Sequence, residues 1–180
     1  MGKFAMIIHV PNESEDTYSK VYSNHDAHEL YIGVSDNEMA LELLKKLFDD
    51  GYNHINLCGY FDEETLDIMR KMASPDVKIQ GAKYLPSEEK KLNLITSFNE
   101  YGFISYVEEV TEPEYLELLS ENGNTYVSFV NSLEMACEEV KRFEEKGIYL
   151  VDLCGWFDLY KTQEVIACAG SAIPVGSCGL

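Results

Sequence analysis

Leu57-Cys58-Gly59-Tyr60-Phe61-Asp62 recurs as Leu153-Cys154-Gly155-Trp156-Phe157-Asp158, 96 positions later. Only the fourth residue differs, and it stays aromatic. Working outward, Gly51 falls on Gly147. Ser35-Asp36-Asn37-Glu38-Met39-Ala40 falls on Asn131-Ser132-Leu133-Glu134-Met135-Ala136. No gap is needed to lay residues 29–84 over 125–180, and thirteen of the 56 pairs are identical. Self-similarity at a fixed offset is the mark of one structural unit copied in tandem. The register slips only after the first strand, where a change of loop length is easiest to absorb.

Each copy reads as strands alternating with helices. In the first, Phe4–Val10 is an all-apolar run of strand length. Asn12–Glu15 has the spacing of a capping box, which predicts a short helix ending near Tyr22. Leu30–Val34 is a strand, and Ser35-x-x-Glu38 predicts another cap. Met39, Ala40, Leu43, Leu44, Leu47 and Phe48 then recur at helical spacing, and Gly51 sits where a left-handed C-cap belongs. His54–Gly59 is a strand, Asp62 caps a helix carrying Leu66, Met69 and Met72, and Val77–Tyr84 is a strand. The second copy repeats this order. Phe103–Val107 is its first strand, and Thr111-x-x-Glu114 predicts a helix ended by Gly123. Tyr126–Val130, a helix ended by Gly147, Leu150–Gly155, a helix over 159–169 and Ile173–Gly176 follow. Ser87–Phe98 reads as a helix joining the copies.

The fold class is therefore α/β: two β-α-β-α-β-α-β halves with mostly parallel strands and right-handed crossovers. Eight such units suggest a small or imperfect barrel built from two halves. The chain's 180 residues are short for that, since such barrels need about 200 or more. The alternative is open, doubly wound sheets related by a pseudo-twofold. Residues 1–98, with the joining helix 87–98, form the first repeat and 99–180 the second. No Pro/Gly/Ser-rich linker parts them, so the expectation is one packed unit.

Lys+Arg number 14 against 32 Asp+Glu, a formal charge of -18. Such a surface repels phosphate backbones and anionic lipid, which excludes nucleic acid and membrane surfaces as partners. No apolar run approaches the length of a membrane span. The N-terminus lacks the apolar run of a signal peptide, and the five Cys include no CxxC pair. Both point to a cytoplasmic protein with reduced thiols.

Candidate site residues cluster on the repeated element. Asn56 and Cys58 share one face of their strand, as Asp152 and Cys154 do in the second copy. The C-terminal edge of parallel strands is where α/β folds bind ligands. Asn56, Cys58, Asp62, Trp156, Asp158 and His9 are thus the ligand-binding candidates. Asp152 and Cys154 are the catalytic candidates, because an Asp can act as a general base and Asn56 cannot. Asp152 is expected to border a cavity. The plainer reading makes each Cys a core filler and each Asp a helix cap. No Walker or GxGxxG pattern, no cofactor signature and no metal-ligand spacing is present. The leading expectation is small-molecule binding. The rivals are an isomerase- or lyase-like enzyme using Asp152 and Cys154, and a structural or homo-oligomerising module.

The repeated Leu-Cys-Gly-aromatic-Phe-Asp element resembles a family of small uncharacterised prokaryotic proteins. Single-copy members carry a Glu-Leu-Cys-Gly-Gly-Phe motif after a long helix and end in a strand similar to Ile173-Pro174-Val175-Gly176. This chain departs from that motif: its acidic position is Asn56 or Asp152, and its second glycine is Tyr60 or Trp156. The resemblance implies kinship and a tandem arrangement, and it implies no activity. If single-copy relatives dimerise, this chain is the fused form of such a dimer.

Overall fold

Ala5-Met6-Ile7-Ile8 has no polar residue to offer solvent on either side, and all four are buried. The computed structural model describes residues 2–180. It places this run in the middle of β1 (Lys3–His9), the central strand of a first unit that extends to Gly81. With β2 (Ser19–Ser23), β3 (His28–Val34), β4 (Tyr52–Leu57) and β5 (Lys78–Gly81) it forms a five-stranded sheet ordered β2-β3-β1-β4-β5. All pairs are parallel except β2 with β3. Met6 lies between Tyr31 on β3 and Asn56 on β4.

Two helices cover one face. α1 (Asn37–Asp49) buries Ala40, Leu43, Leu44 and Leu47, the stripe its periodicity requires. Its N-cap is Asp36, whose carboxylate accepts from Met39 N at 2.8 Å, not Ser35 as the capping-box spacing suggested. Gly51 follows its end at φ +81°, a left-handed position. α2 (Glu63–Met72) is capped by Asp62, as expected. α1 packs on β3 and β4, α2 packs on β5, and the helices touch each other. The fit is close: a Cβ on Gly81 would strike Leu66 of α2.

The second unit, from Ala82 onward, repeats the plan. After α3 (Pro86–Leu92) come β6 (Glu100–Tyr106), β7 (Glu114–Ser120), β8 (Gly123–Val130), α4 (Leu133–Glu145), β9 (Leu150–Leu153), α5 (Leu159–Cys168) and β10 (Val175–Ser177). The sheet order is β10-β9-β6-β8-β7, with β7 the antiparallel member. Ser132 caps α4 and Asp158 caps α5, and Gly147 stands at φ +76° where Gly51 stands in the first unit. The joining helix is shorter than its pattern suggested, and Glu88 pins it to β10. That buried carboxylate accepts from Val175 N at 3.0 Å and pairs with Lys91 at 2.9 Å.

Three expectations are corrected. The segments read as capped helices at 12–22 and 111–123 contain strands, β2 and β7. Turn chemistry decides both. Asn24 Oδ1 accepts from Asp26 N and Ala27 N, closing the β2–β3 turn. Ser120 pairs with Gly123 across the two-residue loop Glu121-Asn122, and its Oγ accepts from Asn122 N at 3.1 Å. A helix there would leave the outer edges of β3 and β8 without a partner strand. Second, the two sheets are open rows ending on strands with one neighbour, so no closed eight-stranded barrel forms. Third, the cysteines are not all thiols: Cys137 on α4 is joined to Cys168 on α5, with Cα atoms 5.4 Å apart. Cys58, Cys154 and Cys178 remain thiols, all buried. Among the described residues, no helix is long and apolar enough to cross a membrane.

Candidate functional site

The repeated hexapeptide is built the same way in both units. In the first, Cys58 N donates to Ile7 O at 3.1 Å, the last rung between β1 and β4. The next donor along β1, His9 N, meets Cys58 Sγ at 3.3 Å, so the thiol takes the place of the next rung's carbonyl. Phe61 N then donates back to Cys58 O at 3.3 Å, closing a tight turn over Gly59. In the second unit, Cys154 N donates to Ile104 O at 3.0 Å, Tyr106 N to Cys154 Sγ at 3.3 Å, and Phe157 N to Cys154 O at 3.1 Å. Phe61 and Phe157 are buried beneath these turns.

The turn throws the variable aromatic back over the end of the central strand. Tyr60 stacks on His9, with ring centroids 3.6 Å apart and planes 6° from parallel. Trp156 stacks on Tyr106 at 4.1 Å and the same 6°. Phe61 and Phe157 meet these rings edge-on. Tyr60 is 51% exposed, whereas Trp156 is half-buried with Lys161 Nζ 4.6 Å from its ring centre. His9 Nε2 lies 3.0 Å from the carbonyl of Ser35, which can only accept, so Nε2 carries the proton. Burial lowers the His9 pKa, opposed by that hydrogen bond and by nearby Asp36.

Asp62 and Asp158 act here as helix caps. Asp62 accepts from Thr65 N at 2.8 Å, which holds its carboxyl below the usual range. Asp158 is lowered chiefly by Lys161, which donates from both its side chain and its backbone N. Both stay ionised at neutral pH.

Asn56 and Asp152 are buried one strand residue pair before the thiols. Asp152 is fully enclosed: Tyr84 Oη donates to Oδ1 at 2.6 Å and Tyr101 Oη to Oδ2 at 2.8 Å. Across the ladder Asn56 faces Gln80, while Asp152 faces Gly176. The glycine is required there, since a Cβ would run into Asp152 Oδ1 and the Tyr84 ring. The structure thus brings His9 to Cys58, and Trp156 and Asp158 to Cys154. It directs Asp152 toward two tyrosines.

Tyr106, Tyr84 and Tyr101 carry no signal in the sequence that marks them as partners of these groups. Tyr106 ends β6 as His9 ends β1, a correspondence hidden because the first strands sit 97 positions apart instead of 96. Among the described residues no group of three or more His, Cys, Asp or Glu could hold a metal ion.

Solved structures with a similar chain path include a carbohydrate transporter from Acidothermus cellulolyticus in complex with myo-inositol. It is 10% identical with TM-score 0.33, over 98% of this chain and 74% of that one. The transcription regulator CcpA of Lactococcus lactis is 13% identical with TM-score 0.28, over 93% and 72%. A PurR family regulator from Vibrio parahaemolyticus is 10% identical with TM-score 0.27, over 92% and 74%. At such scores these likenesses carry no argument about fold or ligand. No curated protein matches the chain. The model of a family of unknown function, DUF6506, matches twice in succession, over residues 2–97 and 99–179. The two matches divide the chain much as its internal repeat does, and the chain belongs to that family, carrying its unit in tandem.

Proposed function

We propose that this protein binds a small molecule at the C-terminal edge of the parallel strands, on its Cys-Gly-aromatic elements. The observation that carries this is the Tyr60–His9 stack, repeated as Trp156–Tyr106. Each ring is clamped between a parallel partner and an edge-on Phe. Tyr60, half in solvent at the end of a central strand, offers a flat apolar face at little entropic cost, while Trp156 carries Lys161 over its ring. Open α/β sheets take their ligands at this edge. In the first unit the binding groups are His9, Cys58 and Asn56 with Tyr60, and Asp62 supplies a fixed negative charge. In the second they are Cys154, Trp156 and Asp158, with Lys161 adding a cation. The ligand class that suits both is a small ring compound with one apolar face and polar substituents. Chemistry by Asp152 and Cys154 is the weaker reading, because both carboxylate oxygens already accept phenol protons.

Trp156 is the only tryptophan, so intrinsic fluorescence reports on the second element alone. The test is a thermal-shift screen of small cyclic metabolites, with hits titrated by fluorescence. A true ligand raises Tm and loses affinity in Tyr60→Ala or Trp156→Ala. A screen with no stabilising compound, or hits indifferent to both substitutions, overturns the proposal.

A further inference from the structure

The second unit carries a covalent link that the first does without. Cys137 lies in the second turn of α4, and Cys168 is the last residue of α5. Both are only half-buried, while the three remaining thiols are buried. At the equivalent positions of the first unit, 96 residues earlier, stand Leu41 and Met72. The first unit's helix pair therefore forms with two apolar side chains where the second has a disulfide. The end of α5 also has a second tie to α4, because Gly170 N donates to Glu144 Oε2 at 2.9 Å. At its other end α5 is capped by Asp158, two residues after Trp156. Its Thr162 hydroxyl donates to Phe157 O at 3.1 Å, inside the repeated hexapeptide.

From these relations we infer that Cys137–Cys168 is a thiol–disulfide exchange site, opened by a dithiol reductant while the unit stays folded. The co-reactant is a dithiol of the small-molecule or redox-protein class. One of its thiolates attacks a sulfur of the pair, the protein S–S bond breaks, and the departing sulfur takes up a proton. The second thiol of the reductant resolves the mixed disulfide. Two electrons pass to the protein, leaving two cysteine thiols and an oxidised reductant. The native structure survives because the first unit shows that this helix pair needs no covalent bond. The end of α5 loosens, and Trp156 senses it through the helix. This inference does not depend on any ligand at the repeated element.

The test uses the full chain, alkylated under native conditions before and after dithiothreitol, with peptide mapping by mass. Before reduction no cysteine of the folded protein reacts rapidly. After reduction Cys137 and Cys168 react, while Cys58, Cys154 and Cys178 react only on denaturation. The reduced protein keeps its far-ultraviolet circular dichroism. The amides at the end of α5 exchange about tenfold faster, the scale of a local opening, and Trp156 emission shifts. The double variant Cys137→Leu/Cys168→Met, which copies the first unit, folds and behaves as the reduced form. The inference is overturned if Cys137 and Cys168 alkylate without reductant. It fails equally if they open only on unfolding, if reduction unfolds the chain, or if the double variant does not fold.

Discussion

The His9 imidazole lies flat against Tyr60, 3.6 Å between ring centres, with its Nε2 proton on Ser35 O. Burial makes the neutral ring the preferred form in the folded protein. As pH falls, the unfolded chain therefore takes up this proton first. The contribution of His9 is complete above the ordinary histidine pKa of about 6.5 and is lost as pH drops through the lower folded value. Urea midpoints of the wild type should fall between pH 7 and 5 by more than those of His9→Phe, which keeps a ring on Tyr60 but cannot titrate. Parallel pH profiles for the two proteins would refute this.

Asp152 holds two phenols at once, Tyr101 buried and Tyr84 half-buried. Tyr101→Phe should cost about 1–3 kcal/mol, since it leaves a buried carboxyl oxygen without its partner, and Tyr84→Phe less, because that hydroxyl is only half-buried. Asp152→Ala should cost more, since it strands both hydroxyls. Because the groups form one network, the double variant Asp152→Ala/Tyr101→Phe should fall short of the sum of its parts. Chemical denaturation measures all four. Strict additivity would show that the network is not coupled.

Gly51 and Gly147 both sit at positive φ, and a methyl added to either would meet nothing within 4 Å. An alanine there meets backbone strain and no clash. Each Gly→Ala should therefore destabilise by about 1–2 kcal/mol, and by the same amount in both units. Asn, which tolerates this region, should cost less. Thermal unfolding of the four variants gives the comparison, and unequal alanine costs would contradict it.

Cys58 and Cys154 each accept a backbone N–H from the end of the central strand of their unit. Cys154→Ser retains an acceptor, whereas Cys154→Val leaves Tyr106 N without that bond. The valine variant should lose about 1–3 kcal/mol, the cost of an unsatisfied buried donor. Trp156 fluorescence should shift with it, because the stack rests on the same turn. A valine variant as stable as the wild type would make the thiol a space-filler only.

The tandem repeat was legible because five of six hexapeptide residues and two cap glycines recur at one spacing. The main helices were legible for a similar reason: a cap, an apolar stripe and a stop agree within a dozen residues. The second strand of each unit was not. Tyr115, Leu116, Leu118 and Leu119 fit either a helix or a strand, and what decides between them is the neighbour across the turn at Glu121-Asn122. The site was half legible. Cys58 and Cys154 stood out, but Tyr106, Tyr84 and Tyr101 lie about 50 to 70 residues from the groups they serve.

Local chemistry thus set what the sequence alone could determine: a duplicated α/β unit, the course of its main helices, and a Cys-Gly-aromatic turn at a strand edge. Caps, turns and periodic stripes act between residues a few positions apart, so their pattern is written in order along the chain. Tertiary structure alone decided that the sheets are open, that Asp152 turns to two phenols, and that Cys137 meets Cys168. Those outcomes depend on which strand finds which edge and which side chains then share a buried volume, and nothing in the spacing of residues along the chain encodes that meeting.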